Sequence, residues 1–270
     1  MNTHSPVPAP PVRFRDLLGS EWIKTRSLRS TWWTIALTVL FVIGSSAVAS
    51  LTDEGVGAAP GAPDFRPFDA YPAAGYWTLI LVAGCAGALT VVSEYGSGLV
   101  RTTTVAVPAR GSVVLAKAVV AAALWTAVGA LVSTGSLLVS QTVLEGRGAA
   151  VPLTHPGVLR AVAASALLAP VCALAGLGLG VLLRHAAATM VTAVFTLLML
   201  PTMFSESARW SADVHHAMVP AAWKRLVQNW EADPGSLGHT ATVAGSWIVY
   251  ALWPLTAVAL AVIVVRRRDV

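Results

Sequence analysis

Long uncharged apolar stretches alternate with short polar ones along this chain, and the stretches match the length of membrane-crossing helices. Six windows carry no Asp, Glu, Lys or Arg: Ser30–Thr52, Ala70–Ser93, Ala118–Leu144, Ala161–Leu183, Ala186–Ser205 and Thr240–Val265. Each holds about 20 residues or more, which at ~1.5 Å per residue covers the ~30 Å hydrocarbon core. A crossing segment must satisfy its backbone hydrogen bonds internally, so the windows predict helices. The expected fold class is all-α: a polytopic membrane domain with transmembrane helices at about 30–52, 70–93, 113–144, 159–183, 186–205 and 240–265. Pro170, Pro201 and Pro254 fall inside windows and are expected to kink their helices. Only Arg184-His185 separates the fourth window from the fifth, which predicts a tight antiparallel pair.

Two further stretches are amphipathic rather than apolar throughout. Over Arg13–Arg29, Phe14, Leu17, Leu18, Trp22 and Leu28 share one face at 100° per residue, with Arg13, Asp16, Ser20 and Lys24 opposite. This pattern predicts a helix over 13–29 lying in the headgroup plane. After Pro220, residues Val219, Trp223, Leu226, Val227 and Trp230 share a second apolar face, which predicts a helix on or in the outer leaflet. The Pro- and Ala-rich residues 1–12 have no periodicity and read as a disordered cytosolic tail, and 266–270 as a second short one.

Composition agrees with this pattern. The chain is 56% apolar and only 11% charged, against about 25% charged in soluble domains. Its net charge of +5 reads as basic cytoplasmic loops facing anionic headgroups, not as a nucleic-acid surface. With the N-terminus inside, 12 Lys and Arg fall on the inner side and 6 on the outer. That bias predicts a multi-pass membrane protein with both termini cytoplasmic. Cys85 and Cys172 both fall in apolar windows, as buried small side chains rather than a disulfide.

The candidate chemistry is defined largely by absence. Gly176-Leu-Gly-Leu-Gly180 sits inside an apolar window with no preceding strand, so it is not a nucleotide loop. Gly176 and Gly180 instead form a small-residue face for helix packing, and Gly84 with Ala88 a weaker one. No Walker A pattern occurs, so the chain binds no ATP by such a loop. All Asp and Glu lie outside the six windows and all six His lie in loops or the tail, which argues against an ion-gradient carrier and an intramembrane protease. Asp213, His215 and His216 with Glu206 and His239 lack a strong metal spacing and read as a solvated loop. No catalytic, cofactor or metal residue is expected.

The charged, Gly- and Pro-punctuated stretch Ser93–Lys117 between the second and third windows carries the most specific pattern. It combines Glu94-Tyr95-x-Ser97-Gly98, Arg101, Pro108-x-Arg110 and Ala116-Lys117. A second pattern, Ser20-Glu21-Trp22-Ile23-Lys24-Thr25-Arg26-Ser27-Leu28-Arg29-Ser30-Thr31-Trp32-Trp33, leads into the first window. On these two stretches the chain resembles the permease subunits of type-2 ATP-binding-cassette exporters, in the form common in actinobacteria. Gly96 and Leu99 stand where family members often carry Arg and Thr. The resemblance implies a six-helix half-transporter with an N-terminal elbow helix and partly re-entrant helices in the outer loop. It also implies a partner ATPase that supplies ATP and Mg²⁺, and a second permease copy or a similar permease. Glu94, Tyr95, Gly98, Arg101, Pro108, Arg110 and Lys117 would then belong to the element that couples to the ATPase. The alternative function is a non-transporting membrane scaffold or sensor that binds an ATPase.

Overall fold

The computed structural model describes residues 13–52, 70–99, 109–146, 152–228 and 239–267. All regular structure among these residues is helical. In chain order the helices are α1 (Phe14–Ser27), α2 (Arg29–Thr52), α3 (Ala73–Ser97), α4 (Arg110–Glu145) and α5 (Val158–Leu183). They continue with α6 (186–202), α7 (Arg209–His216), α8 (Val219–Val227) and α9 (Val243–Arg267).

Five of these, α2, α3, α4, α5 and α9, are long and apolar enough to cross a membrane. The fifth window, expected over 186–205, differs. It forms the shorter apolar helix α6, of about 25 Å at the usual rise. A π-helical turn, Phe195–Met199, interrupts it just before Pro201. There the Leu200 N–H bonds back to the Phe195 carbonyl. Pro201 has no N–H and its ring crowds the carbonyl four residues earlier, and a widened turn relieves that crowding.

α5 lies at the centre, packed against α3, α4, α6, α8 and α9. Its apolar stretch is 67% buried, compared with 22% for α2 and 17% for α9, so α2 and α9 form the periphery. Their outward side chains, such as Trp33, Leu40 and Phe41 on α2 and Leu252 and Leu255 on α9, are exposed and apolar. That suits lipid, which imposes no penalty on apolar side chains.

Close helix approach rests on small residues. Gly176 of α5 lies against the Gly84 backbone of α3, Gly87 of α3 against Ala173, and Gly129 of α4 against Ala166 of α5. A Cβ at any of the three would fall on a backbone carbonyl of the facing helix. Serines join α2 to α4: Ser46 Oγ donates to the Ser136 carbonyl at 3.0 Å, and Ser50 Oγ to Ser140 Oγ at 3.0 Å.

The second amphipathic stretch is buried in the protein rather than lying flat on its surface. Residues Val219 to Trp223, Leu226 and Val227 of α8 are all buried, and Trp230 lies outside the described residues. The Trp223 ring stacks on Tyr76 at 5.0 Å, and its Nε1–H donates to Ser165 Oγ at 3.1 Å. Arg160, near the start of α5, donates to the Leu226 and Gln228 carbonyls and so ties down the C-terminal end of α8. The Trp253 indole N–H donates to the Ala217 carbonyl at 2.8 Å. Trp253 lies ten residues into α9, so the turn between α7 and α8 sits about 15 Å along that helix. Cys85 and Cys172 are free thiols.

Candidate functional site

Helix α1 is set up locally. The Asp16 carboxylate accepts the Arg13 N–H at 3.0 Å at its start, and the chain turns extended at Leu28. The Trp32 indole N–H then reaches back to the Arg26 carbonyl at 3.2 Å, satisfying one of the orphaned carbonyls at the end of the helix. The face of α1 that turns inward is not the expected apolar stripe. Leu17 and Glu21 are buried, whereas Phe14, Trp22 and Leu28 are exposed. Exposing apolar side chains is free in lipid, and a carboxylate needs a partner.

Glu21 finds that partner in a closed ring of four charges. Lys24 Nζ donates to Glu21 Oε1 at 2.6 Å and to Glu94 Oε1 at 2.8 Å. Lys117 Nζ donates to Glu21 Oε2 at 2.5 Å and to Glu94 Oε1 at 2.9 Å. Each lysine touches both acids, and the ring is neutral. It joins α1, the last turn of α3 and the third turn of α4. Glu21 and Lys117 are 4% and 6% exposed, so that half of the ring lies out of bulk solvent, whereas Lys24 is half-exposed. Among buried charges, pairing of this completeness is what makes burial tolerable.

Burial lowers the Lys24 pKa, but the hydrogen bonds and charges of Glu21 and Glu94 more than reverse this, leaving it above the ordinary 10.5. A lysine whose pKa is raised by folding contributes its full stabilisation below the unfolded value. That contribution is lost only as pH rises through the higher folded value. The ring is therefore intact at neutral pH with respect to Lys24.

The other described residues of the expected coupling stretch cluster around this end of the bundle. Gly98 caps α3 in the left-handed conformation, φ 72°, with its N–H on the Tyr95 carbonyl. Glycine adopts that conformation without strain. Arg101 and Pro108 lie outside the described residues. The Arg184 guanidinium sits over the Tyr95 ring at 5.2 Å. Arg110 opens α4, and a Cβ on the next residue, Gly111, would meet the Arg266 side chain at the end of α9.

Glu94 and Lys117 are thus brought together, but facing α1 rather than outward. Glu21 and Lys24 complete the site and were not among the residues singled out for chemistry. They do belong to the Ser20–Trp33 stretch, where an acid and a base three apart on a helix leading into an apolar window mark an ion-paired face. Toward the same end of the bundle, Gly176 packs against Gly84 of α3, and Gly180 lies close to Ala88 and Val91 of the same helix. No protein-family model and no curated protein matches the chain.

Proposed function

We propose that this chain is the membrane permease subunit of a type-2 ATP-binding-cassette exporter, driven by a separate ATPase that supplies ATP and Mg²⁺. The observation that carries the reading is the ring of four charges. It joins the two stretches on which the resemblance rests, which lie 70 to 96 residues apart in sequence. In this reading α1 is the elbow helix and α6 the fifth crossing, shortened. The α7–α8 turn, set into the bundle beside α9, makes the outer helices partly re-entrant. A push from the ATPase on the α3–α4 junction would move α1, α3 and α4 as one body, because the ring locks them together. The exposed apolar faces of α2 and α9 suit lipid and a second permease copy.

The deciding experiment is co-purification with an ATP-binding-cassette ATPase encoded beside this chain, followed by ATP hydrolysis in nanodiscs. The expected result is a stable complex whose hydrolysis is stimulated by at least one compound from an export-substrate panel. A stable complex with no stimulation across a broad panel would favour the scaffold alternative, and no complex would overturn the reading. Glu94→Arg is a poor probe of coupling, since it sets three cations against one acid inside the ring. Exposed positions at the same end serve better.

Orientation follows from the charge bias and is tested with single cysteines in a background with Cys85 and Cys172 replaced. Cysteines at the exposed residues Glu145 and Thr240 are expected to react with an impermeant maleimide on intact cells, and one at Ser97 only after lysis. The reverse labelling pattern would invert the topology.

A further inference from the structure

At the far end of the bundle from the charge ring, three side chains bring their donor atoms together. Glu206 lies in the turn between α6 and α7, and His215 and His216 close the last turn of α7. His215 Nδ1 is 3.6 Å from Glu206 Oε1, and His216 Nε2 is 3.7 Å from the same oxygen. The three donor atoms all lie within 4.8 Å of one another. Adjacent residues on a helix point about 100° apart. Here the two rings converge because one offers its near nitrogen and the other its far nitrogen. Both nitrogens are buried and make no hydrogen bond among the described residues, and 3.6 Å is too long for one. The structure therefore holds two lone imidazole donors and a carboxylate aimed at a common point.

We propose that Glu206, His215 and His216 form a binding site for a divalent transition-metal cation of the zinc class, with the fourth coordination position open. Bonds of about 2.0–2.1 Å in a tetrahedral shell place neighbouring ligand atoms about 3.3 Å apart. Closing the two Glu206 distances by a few tenths of an ångström, and drawing together the two imidazole nitrogens, which lie within 4.8 Å of each other, seats the ion. Two imidazoles with one carboxylate suit zinc and its late first-row neighbours, whereas magnesium and calcium require oxygen shells. Lys224 and His215 line the same cavity of about 210 Å³, and this fixed cation further disfavours weakly held ions. The bound metal would clamp the turn after α6 to the end of α7. The Glu206 carbonyl already accepts the His239 N–H at 3.1 Å, so the clamp extends to the segment leading into α9. The sequence pattern grouped Asp213 and His239 with these residues, but the structure leaves both outside the donor set. The site does not depend on the exporter reading.

The test uses the full chain without a purification tag in nanodiscs, with Zn²⁺ competed against a chromophoric chelator and Co²⁺ followed by its visible absorption. The expected result is one tightly bound equivalent of Zn²⁺ and the Co²⁺ bands of a four-coordinate site. His216→Asn should weaken Zn²⁺ binding at least about 100-fold, beyond the loss caused by removing a supporting group. Asp213→Asn and His239→Asn should leave it unchanged. Zn²⁺ should raise the melting temperature of the wild type and not of His216→Asn. If His216→Asn fails to insert, loss of the Co²⁺ bands in Glu206→Gln decides in favour of the site. Absence of a tight equivalent, equal thermal shifts in wild type and variant, bands that survive Glu206→Gln, or a site lost in His239→Asn would each overturn the proposal.

Discussion

Lys117→Met is expected to destabilise the protein by about 3–5 kcal/mol, the range for breaking a buried ion pair from one side. Lys117 bridges Glu21 and Glu94 and is itself 6% exposed. Without it, two carboxylates face each other with only the half-exposed Lys24 between them. The second variant, Glu21→Gln with Lys117→Met, separates the charge effect from lost packing. It removes one charge of each sign, so its cost should fall short of the sum of the single costs, with a coupling of about 0.5–3 kcal/mol. Reversible unfolding in mixed micelles, followed by tryptophan fluorescence and circular dichroism, measures the two single variants, Lys117→Met and Glu21→Gln, and the double. A Lys117→Met variant within about 1 kcal/mol of wild type, the cost of an exposed pair, would show that the ring does not hold α1 to α3 and α4.

Gly176→Val should be comparably damaging, at or above the upper end of the roughly 1–3 kcal/mol typical of overpacking. A side chain there meets the Gly84 backbone of α3. A backbone carbonyl cannot swing aside as a side chain can, so α3 and α5 would have to separate along the central seam of the bundle. Gly180→Ala should cost less, because its new methyl would meet the Ala88 carbonyl at 3.0 Å. Gly44→Ala, with nothing within 4 Å, should be neutral or stabilising by up to about 1 kcal/mol through helix propensity. Membrane accumulation and thermal melting of the three variants give the ranking. Equal behaviour of Gly176→Val and Gly44→Ala would refute close backbone packing as the basis of the seam.

The apolar windows alone determined that the chain is helical and where five long helices run, because each window is a local run that must bury its backbone polar groups in the same segment. The ends were less legible. A window stops at its first charged residue, whereas α3 continues past Glu94 to the left-handed Gly98, and α4 already begins at Arg110. A charge is tolerated on a membrane helix when it has a partner, and the partners of Glu94 lie on α1 and α4. For the same reason the α1 periodicity identified an apolar stripe but not the buried face, which is decided by Glu21 pairing with a lysine 96 residues away.

The remaining differences follow the same rule. Six uncharged windows could not reveal that the fifth folds as a short helix, broken by a π-helical turn before Pro201, whose following segment turns in beside α9. Asp213, His215, His216, Glu206 and His239 formed only a loose polar group in sequence, and the fold selected three of the five by bringing their donor atoms within 4.8 Å of one another. Hydrophobic pattern is a property of neighbouring residues and survives in the linear chain. The partner of a buried charge or lone pair is a property of distant ones, and only the packed helices decide it.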